Sequence, residues 1–274
     1  MTHTFKRSFA IAIAAALLST TAIVQTASAA PNAGDPMTMT DKASTNAVFN
    51  KFLNKYGVQQ GDISLIRYSA VTADDKAALE GYIETLSKAG PPNGTDEEKM
   101  VYWFNLYNAE TIIVILDNYP VKSIREIGGS FISKGPWGDK TLTVAGKPMS
   151  LNNIEHDTVR AQYNEPRIHY AFNCASISCP DLKLSAWEAE TFDADLSAAA
   201  TAYINSDRGV AVDDKGRLTV SSIFKWYKQD FGKGSEADVL AHLAKYATGN
   251  KKAAITAAGK VKKYDYDWNL NEIK

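Results

Sequence analysis

The chain has 274 residues, with 30 Lys plus Arg against 31 Asp plus Glu and a formal net charge of −1. So even a balance favours neither nucleic acid nor an anionic membrane as a partner. The length allows one substantial core or two closely packed lobes.

In chain order, the first segment reads as an address. Lys6 and Arg7 form a basic start, residues 9–18 are apolar, and Ala27-Ser28-Ala29 supplies the small-x-small site that a signal peptidase reads. The apolar run is short and interrupted by Ser19, Thr20 and Thr21, too little for a permanent membrane helix. Residues 1–29 are therefore expected to be a cleaved signal peptide, residues 30–40 a linker and residues 41–274 a single globular domain. No cysteine at the cleavage site invites a lipid. Residues 101–116 are the most apolar stretch that follows, and Asn105, Asn108 and Glu110 break it as a span. The expectation is a soluble, periplasmic or secreted protein.

Asp41 can cap a first helix carrying Ala47, Phe49, Phe52 and Leu53 on one stripe. Residues 63–71 read as a strand or extended crossing segment. A helix from Asp74 places Leu79, Tyr82, Ile83 and Leu86 on one face, and residues 89–94 (AGPPNG) end it. The strongest helix follows. Thr95 and Glu98 make a capping box, Asp96 and Glu97 favour the helix dipole, and Pro120 marks the end. Its middle is apolar nearly all round, so it should lie inside the core. Asn105 and Asn108 either brace a loop there or face a site. Residues 124–137 form a Gly-rich surface loop, and residues 141–144 and 147–149 a hairpin around Ala145-Gly146. Ser150 caps a helix to about residue 160, and residues 167–172 alternate like a strand. An amphipathic helix at 186–203, a hairpin at 210–220, helices around Phe224 and at 237–246, and a strand at 261–268 complete the chain.

Five stretches form a recognisable set: residues 103–109 (WFNLYNA), 150–156 (SLNNIEH), 167–176 (RIHYAFNCAS) with Cys179-Pro180, 222–227 (SIFKWY) with Asp230-Phe231, and 264–268 (YDYDW). The chain thereby resembles the domain of unknown function 547 family over about residues 101–271. The resemblance implies exported bacterial proteins or parts of larger eukaryotic chains, and no established activity.

Reactive side chains concentrate in residues 150–180, which hold both cysteines, His156 and His169. If residues 167–174 form one strand, Arg167, His169 and Asn173 share a face and Cys174 lies on the other. His156 is then the imidazole left to act as base for a Cys174 nucleophile. A short helix opened by Cys174 would lower the thiol pKa and offer N–H groups as an oxyanion hole. Asn152, Glu155, Asn173 and Ser176 are supporting candidates. Glu155 and His156, about 100° apart on an α-helix, should not orient one another. Arg167, His169, Asn105 and Asn108 are candidates for binding.

The competing reading takes Cys174 and Cys179, spaced C-x4-C in an oxidising compartment, as a structural disulfide in a non-catalytic binding protein. A zinc site from Cys174, Cys179, His156 and His169 lacks the CxxC and HxxxH spacings. Gly128-Gly129 is no phosphate cradle, and Asp265, Asp267 and Glu272 follow no calcium-loop pattern. No metal or cofactor is expected. Trp103, Tyr107, Phe224, Trp226 and Trp268 are assigned to the core, and His242 to packing.

The expected fold is α+β, with a buried central helix and a small, mostly antiparallel sheet. Its chemistry would be broadly papain-like or transglutaminase-like, a thiol hydrolase or acyl transferase.

Overall fold

The computed structural model describes residues 39–128 and 135–273, and for 39–44 the backbone alone. The expected leader, most of the expected linker and the middle of the Gly-rich loop lie outside the described residues. All described residues belong to one compact unit, 33–274.

Helix α1, Met39–Tyr56, starts ahead of Asp41, the expected cap. It buries Phe49, Phe52 and Leu53, while Ala47 is exposed. Strands β1, Gly57–Gln60, and β2, Ile63–Ile66, pair antiparallel. Helix α2, Ala73–Ala89, is capped by Thr72, whose side chain accepts from the Asp75 N–H, so the helix begins before Asp74. It stops at Gly90, whose φ of 72° suits the residue without a Cβ.

Helix α3, Asp96–Asn118, is the centre of the molecule. The Thr95 hydroxyl accepts from the Glu98 N–H at 3.3 Å, and the Glu98 carboxylate accepts from the Thr95 N–H at 2.9 Å. The capping box read in the sequence is therefore formed. From Met100 to Ile115 every side chain is buried, as all-round apolarity requires. Around α3 the first core gathers α1, α2 and the hairpin of β3, Leu142–Val144, with β4, Lys147–Met149.

A second core forms further along the chain. Helix α4, Phe192–Asn205, follows a 3-10 turn at Ala189–Thr191, so it begins later than the expected 186. Strands β5, Val210–Val212, and β6, Leu218–Ser221, form the expected hairpin. The short α5, Ile223–Trp226, then α6, Glu236–Tyr246, and α7, Gly249–Ala257, come next. Strand β7, Lys263–Asp265, is shorter than expected and pairs parallel with β6, the one exception to antiparallel pairing among the named strands. Tyr203, Val220, Phe224 and Leu243 fill this core. His242 packs as expected. Its Nε2 meets the Tyr170 hydroxyl at 2.8 Å, and burial pulls its pKa down to about 4. The α+β class and the buried central helix are both observed.

Residues 166–180 run along the seam, with Tyr170 in the second core and Phe172 in the first. Two expectations fail here. Residues 167–172 are not a strand, because Pro166–Tyr170 is a 3-10 helix with Pro at its start and the Glu165 carboxylate capping the Arg167 N–H. Nor does Cys174 open a helix, since residues 174–178 are irregular. The helix-start thiol of a papain-like arrangement is thus not present. Among the described residues no helix is long and apolar enough to cross a membrane.

Candidate functional site

The backbone around Cys174 is held by buried amides rather than by a sheet. Asn108 Nδ2 donates to Ala171 O at 2.8 Å, and its Oδ1 accepts the Asn173 N–H at 2.9 Å. Asn173 in turn accepts from the Ala175 N–H at 2.9 Å and donates to Pro180 O at 2.8 Å. Arg208 donates to Cys179 O at 2.9 Å while paired with Asp181 at 3.0 Å. Ala175 adopts a left-handed φ of 56°, a strained conformation for a residue with a Cβ, directly after the thiol. Asn105 makes the same kind of amide pair with Trp187, at 2.9 and 2.8 Å. Asn105, Asn108 and Asn173 are therefore braces, and none of them lines the cleft described below.

The two cysteines are free, which overturns the disulfide reading. Their sulfurs sit 3.0 Å apart in hydrogen-bond contact, and the Cys174 N–H donates to Cys179 Sγ at 2.9 Å. Cys174 Sγ also lies 3.2 Å from both the Ser176 and the Tyr266 hydroxyls, which are 3.0 Å from each other. The Cys179 thiol, Ser176 and Tyr266 can all donate to a Cys174 thiolate, and together they outweigh burial and lower its pKa. Cys179 has no such surplus, and burial pushes its pKa well up. The activating groups are side chains. The backbone N–H groups of Cys174 and Ala175, which the expected oxyanion hole would use, are already engaged.

The facing wall comes from a π-helix, Asn153–Arg160, entered through helical residues 151–152, and Ser150 caps that run by accepting the Asn153 N–H at 3.2 Å. Such widened turns are uncommon and concentrate at functional sites. Here Glu155 and His156 both line one cleft, with His156 Nδ1 3.8 Å from Glu155 Oε1, too far for a hydrogen bond to orient the ring. Glu155 is buried against the hydroxyls of Tyr107 and Tyr227, and loss of water raises its pKa. His156 Nδ1 meets Arg160 Nη1 at 3.2 Å. Arg160 is paired with Asp230 at 2.7 and 3.0 Å, and its guanidinium lies 4.7 Å from the Tyr227 ring centre.

His169, a binding candidate, also lines the cleft. Its Nε2 is held by Asp230 at 2.7 Å, and its ring stacks on Tyr227 at 4.3 Å. Burial lowers its pKa against the pull of Asp230. Among the described residues, no hydrogen bond joins Cys174 to His156 or to His169. Arg167 faces elsewhere, with Glu165 at 2.6 Å and Asp193 at 2.7 Å. No group of three or more His, Cys, Asp or Glu among the described residues is placed to hold a metal ion.

The cleft between these walls has a volume of about 260 Å³. Asn152 contributes to its polar side. Its other side is aromatic, with Trp226 and Trp268 stacked at 5.6 Å, Tyr266 4.5 Å from Trp268, and Trp137 edge-on to Trp268 at 5.7 Å. Trp103 and Phe224 are core residues as expected, and Tyr107 is buried while lining the cleft. Trp226 does not fit the core assignment, being 47% exposed, while Trp268 packs half-buried against the first core, and both face the cleft. Tyr227, Asp230, Tyr266 and Trp268 were not singled out as site residues. Their only sequence signal was membership of the two C-terminal motifs.

Residues 91–204 match the family described as "Protein of unknown function, DUF547". Those residues form a region of that family. The match includes the segments that carry Asn108, Glu155, His156, His169 and both cysteines, and it ends before the segment that supplies Tyr227, Asp230, Tyr266 and Trp268. Neither a curated protein nor a solved structure matches the chain.

Proposed function

We propose that this protein is a cysteine-dependent acyl-transfer enzyme, a thiol hydrolase or transferase with Cys174 as nucleophile. One observation carries the reading: Cys174 opens onto a cleft with three polar side chains, Cys179, Ser176 and Tyr266, within hydrogen-bond distance of its sulfur. A thiol whose pKa is lowered by donors depends less on a base to draw off its proton. Glu155, raised by burial in the same cleft, supplies the complementary acid. Environments that drive two titratable groups apart in this way assign nucleophile and acid.

The steps balance with those groups alone. The Cys174 thiolate attacks an acyl carbon, a C–S bond forms and the carbonyl electron pair moves to oxygen. Collapse breaks the bond to the leaving group, which takes the Glu155 proton. Glu155, now a carboxylate, draws a proton from an incoming water or alcohol as that oxygen attacks the thioester, and the thiolate departs. The aromatic side of the cleft suits an uncharged flank on the acyl group. The leader expected at residues 1–29 supports action outside the cytoplasm, which the N-terminal residue of the exported protein checks.

Incubation with p-nitrophenyl acetate, read by intact mass, tests the reading. One acetyl added to the wild type and none to Cys174→Ser supports it, and no acetyl on the wild type sinks it. The exposure of Trp226 favours a second reading, a cleft that binds an uncharged ring without chemistry. Saturable quenching of tryptophan fluorescence by a ring ligand, with an inert Cys174, would favour that alternative.

A further inference from the structure

The sequence suggests His156 as the base, and its surroundings carry the opposite polarity. A guanidinium has only donors, so Arg160 Nη1 at 3.2 Å must give its hydrogen to His156 Nδ1. Nδ1 then bears the lone pair, and the proton of the neutral ring sits on Nε2. In a triad the carboxylate does the reverse, accepting from one nitrogen so that the other is free to act as base. Arg160 is not free to turn away. Asp230 takes its Nε and Nη2 at 2.7 and 3.0 Å, and Tyr227 lies against the guanidinium at 4.7 Å. The carboxyl that could draw the proton to Nδ1 instead is that of Glu155, and at 3.8 Å it is beyond hydrogen-bond range.

We infer that His156 serves the cleft as a neutral Nε2–H donor, the group that meets the developing acyl oxyanion, with Arg160 and Asp230 as the positioning residues that fix this tautomer. The oxyanion role rests on the nucleophile reading above, whereas the tautomer does not. Neutral imidazole donors of this kind polarise carbonyls without giving up a proton, so the substrate class is an ester, thioester or amide carbonyl.

Long-range 1H–15N correlation on the histidine-labelled full chain at about pH 8, where an ordinary imidazole is neutral, reads the tautomer directly. The His156 signals are identified by their loss in His156→Gln. The wild type should show the Nε2–H form, Arg160→Lys should keep it, and Arg160→Met should give a mixture. An Nδ1–H form in the wild type, or no change in a folded Arg160→Met, overturns the inference.

The acyl role is read by acetylation with p-nitrophenyl acetate. His156→Leu should be roughly 10²-fold slower, and His156→Gln, which keeps an N–H, should recover most of that loss. Equal rates in the wild type and His156→Leu would overturn the oxyanion role. A wild type that does not acetylate would remove the nucleophile and this role together, and the tautomer would still stand or fall on the spectra.

Discussion

The two walls of the cleft take their reactive groups out of water, Cys174 partly and Glu155 almost wholly, and treat them in opposite ways. On the wall of residues 171–180, Cys174 is surrounded by donors, and its pKa falls. On the π-helix, Glu155 also has hydroxyl neighbours, but burial outweighs them and its pKa rises. The difference teaches that burial does not by itself set a protonation state. What decides is whether the hydrogen bonds offered to the charged form exceed the loss of water. The walls are also built differently. The cysteine wall is irregular backbone stitched by Asn108 and Arg208 from other elements and by its own Asn173. The π-helix wall is regular backbone whose reactive side chains lean on one another and on Asp230.

The largest effect should come from breaking the acid. Glu155→Gln should slow acylation of Cys174 by alkyl esters by roughly 10²- to 10³-fold, while the p-nitrophenolate burst of the activated ester, whose leaving group needs no proton, stays nearly as before. Rates that fall equally across both leaving groups would show that Glu155 has another role. The same variant sharpens the comparison in stability. A buried carboxyl is a liability to the fold, so Glu155→Gln should leave the chain as stable as the wild type or slightly more so in urea.

Asn108→Ala should behave in the contrary way. It strands Ala171 O and the Asn173 N–H in the interior, at about 1–3 kcal/mol for each orphaned group. A drop of roughly 2–4 kcal/mol in urea unfolding is expected, and a neutral result would mean that the cysteine wall does not depend on its braces.

The smallest effect should be that of Tyr266→Phe, which removes one of the donors on Cys174. A hydrogen bond to a charged group is worth about 1.5 kcal/mol or more, so iodoacetamide labelling of Cys174 at pH 6 should slow roughly tenfold. The sign follows from linkage. The lowered pKa keeps thiolate present below the ordinary thiol range, and losing a donor raises it again, so the two proteins should differ at low pH and converge at pH 10. Equal rates at pH 6 would leave Cys179 and Ser176 as the donors that matter.

What the sequence determined by itself was whatever local chemistry decides. The capping box of Thr95 and Glu98, the all-round apolar α3 and the two hairpins depend on residues a few positions apart, and each formed as read. The concentration of reactive groups in residues 150–180 was legible for the same reason. Residues 167–172 could have been read better. Their alternation suggested a strand, but Glu165 and Pro166 carried the start signal of a helical turn. Other features had no local sign. The π-helix at residues 153–160, and the approach of Tyr227, Asp230 and Tyr266 from late in the chain, belong to the place where two cores meet along one seam. The state of the thiols also belongs to the tertiary structure. The compartment expected for the protein argued for a bond, whereas the cleft surrounds one sulfur with polar side chains, and a thiol pKa lowered by such contacts is a long-range property that spacing in a sequence cannot express.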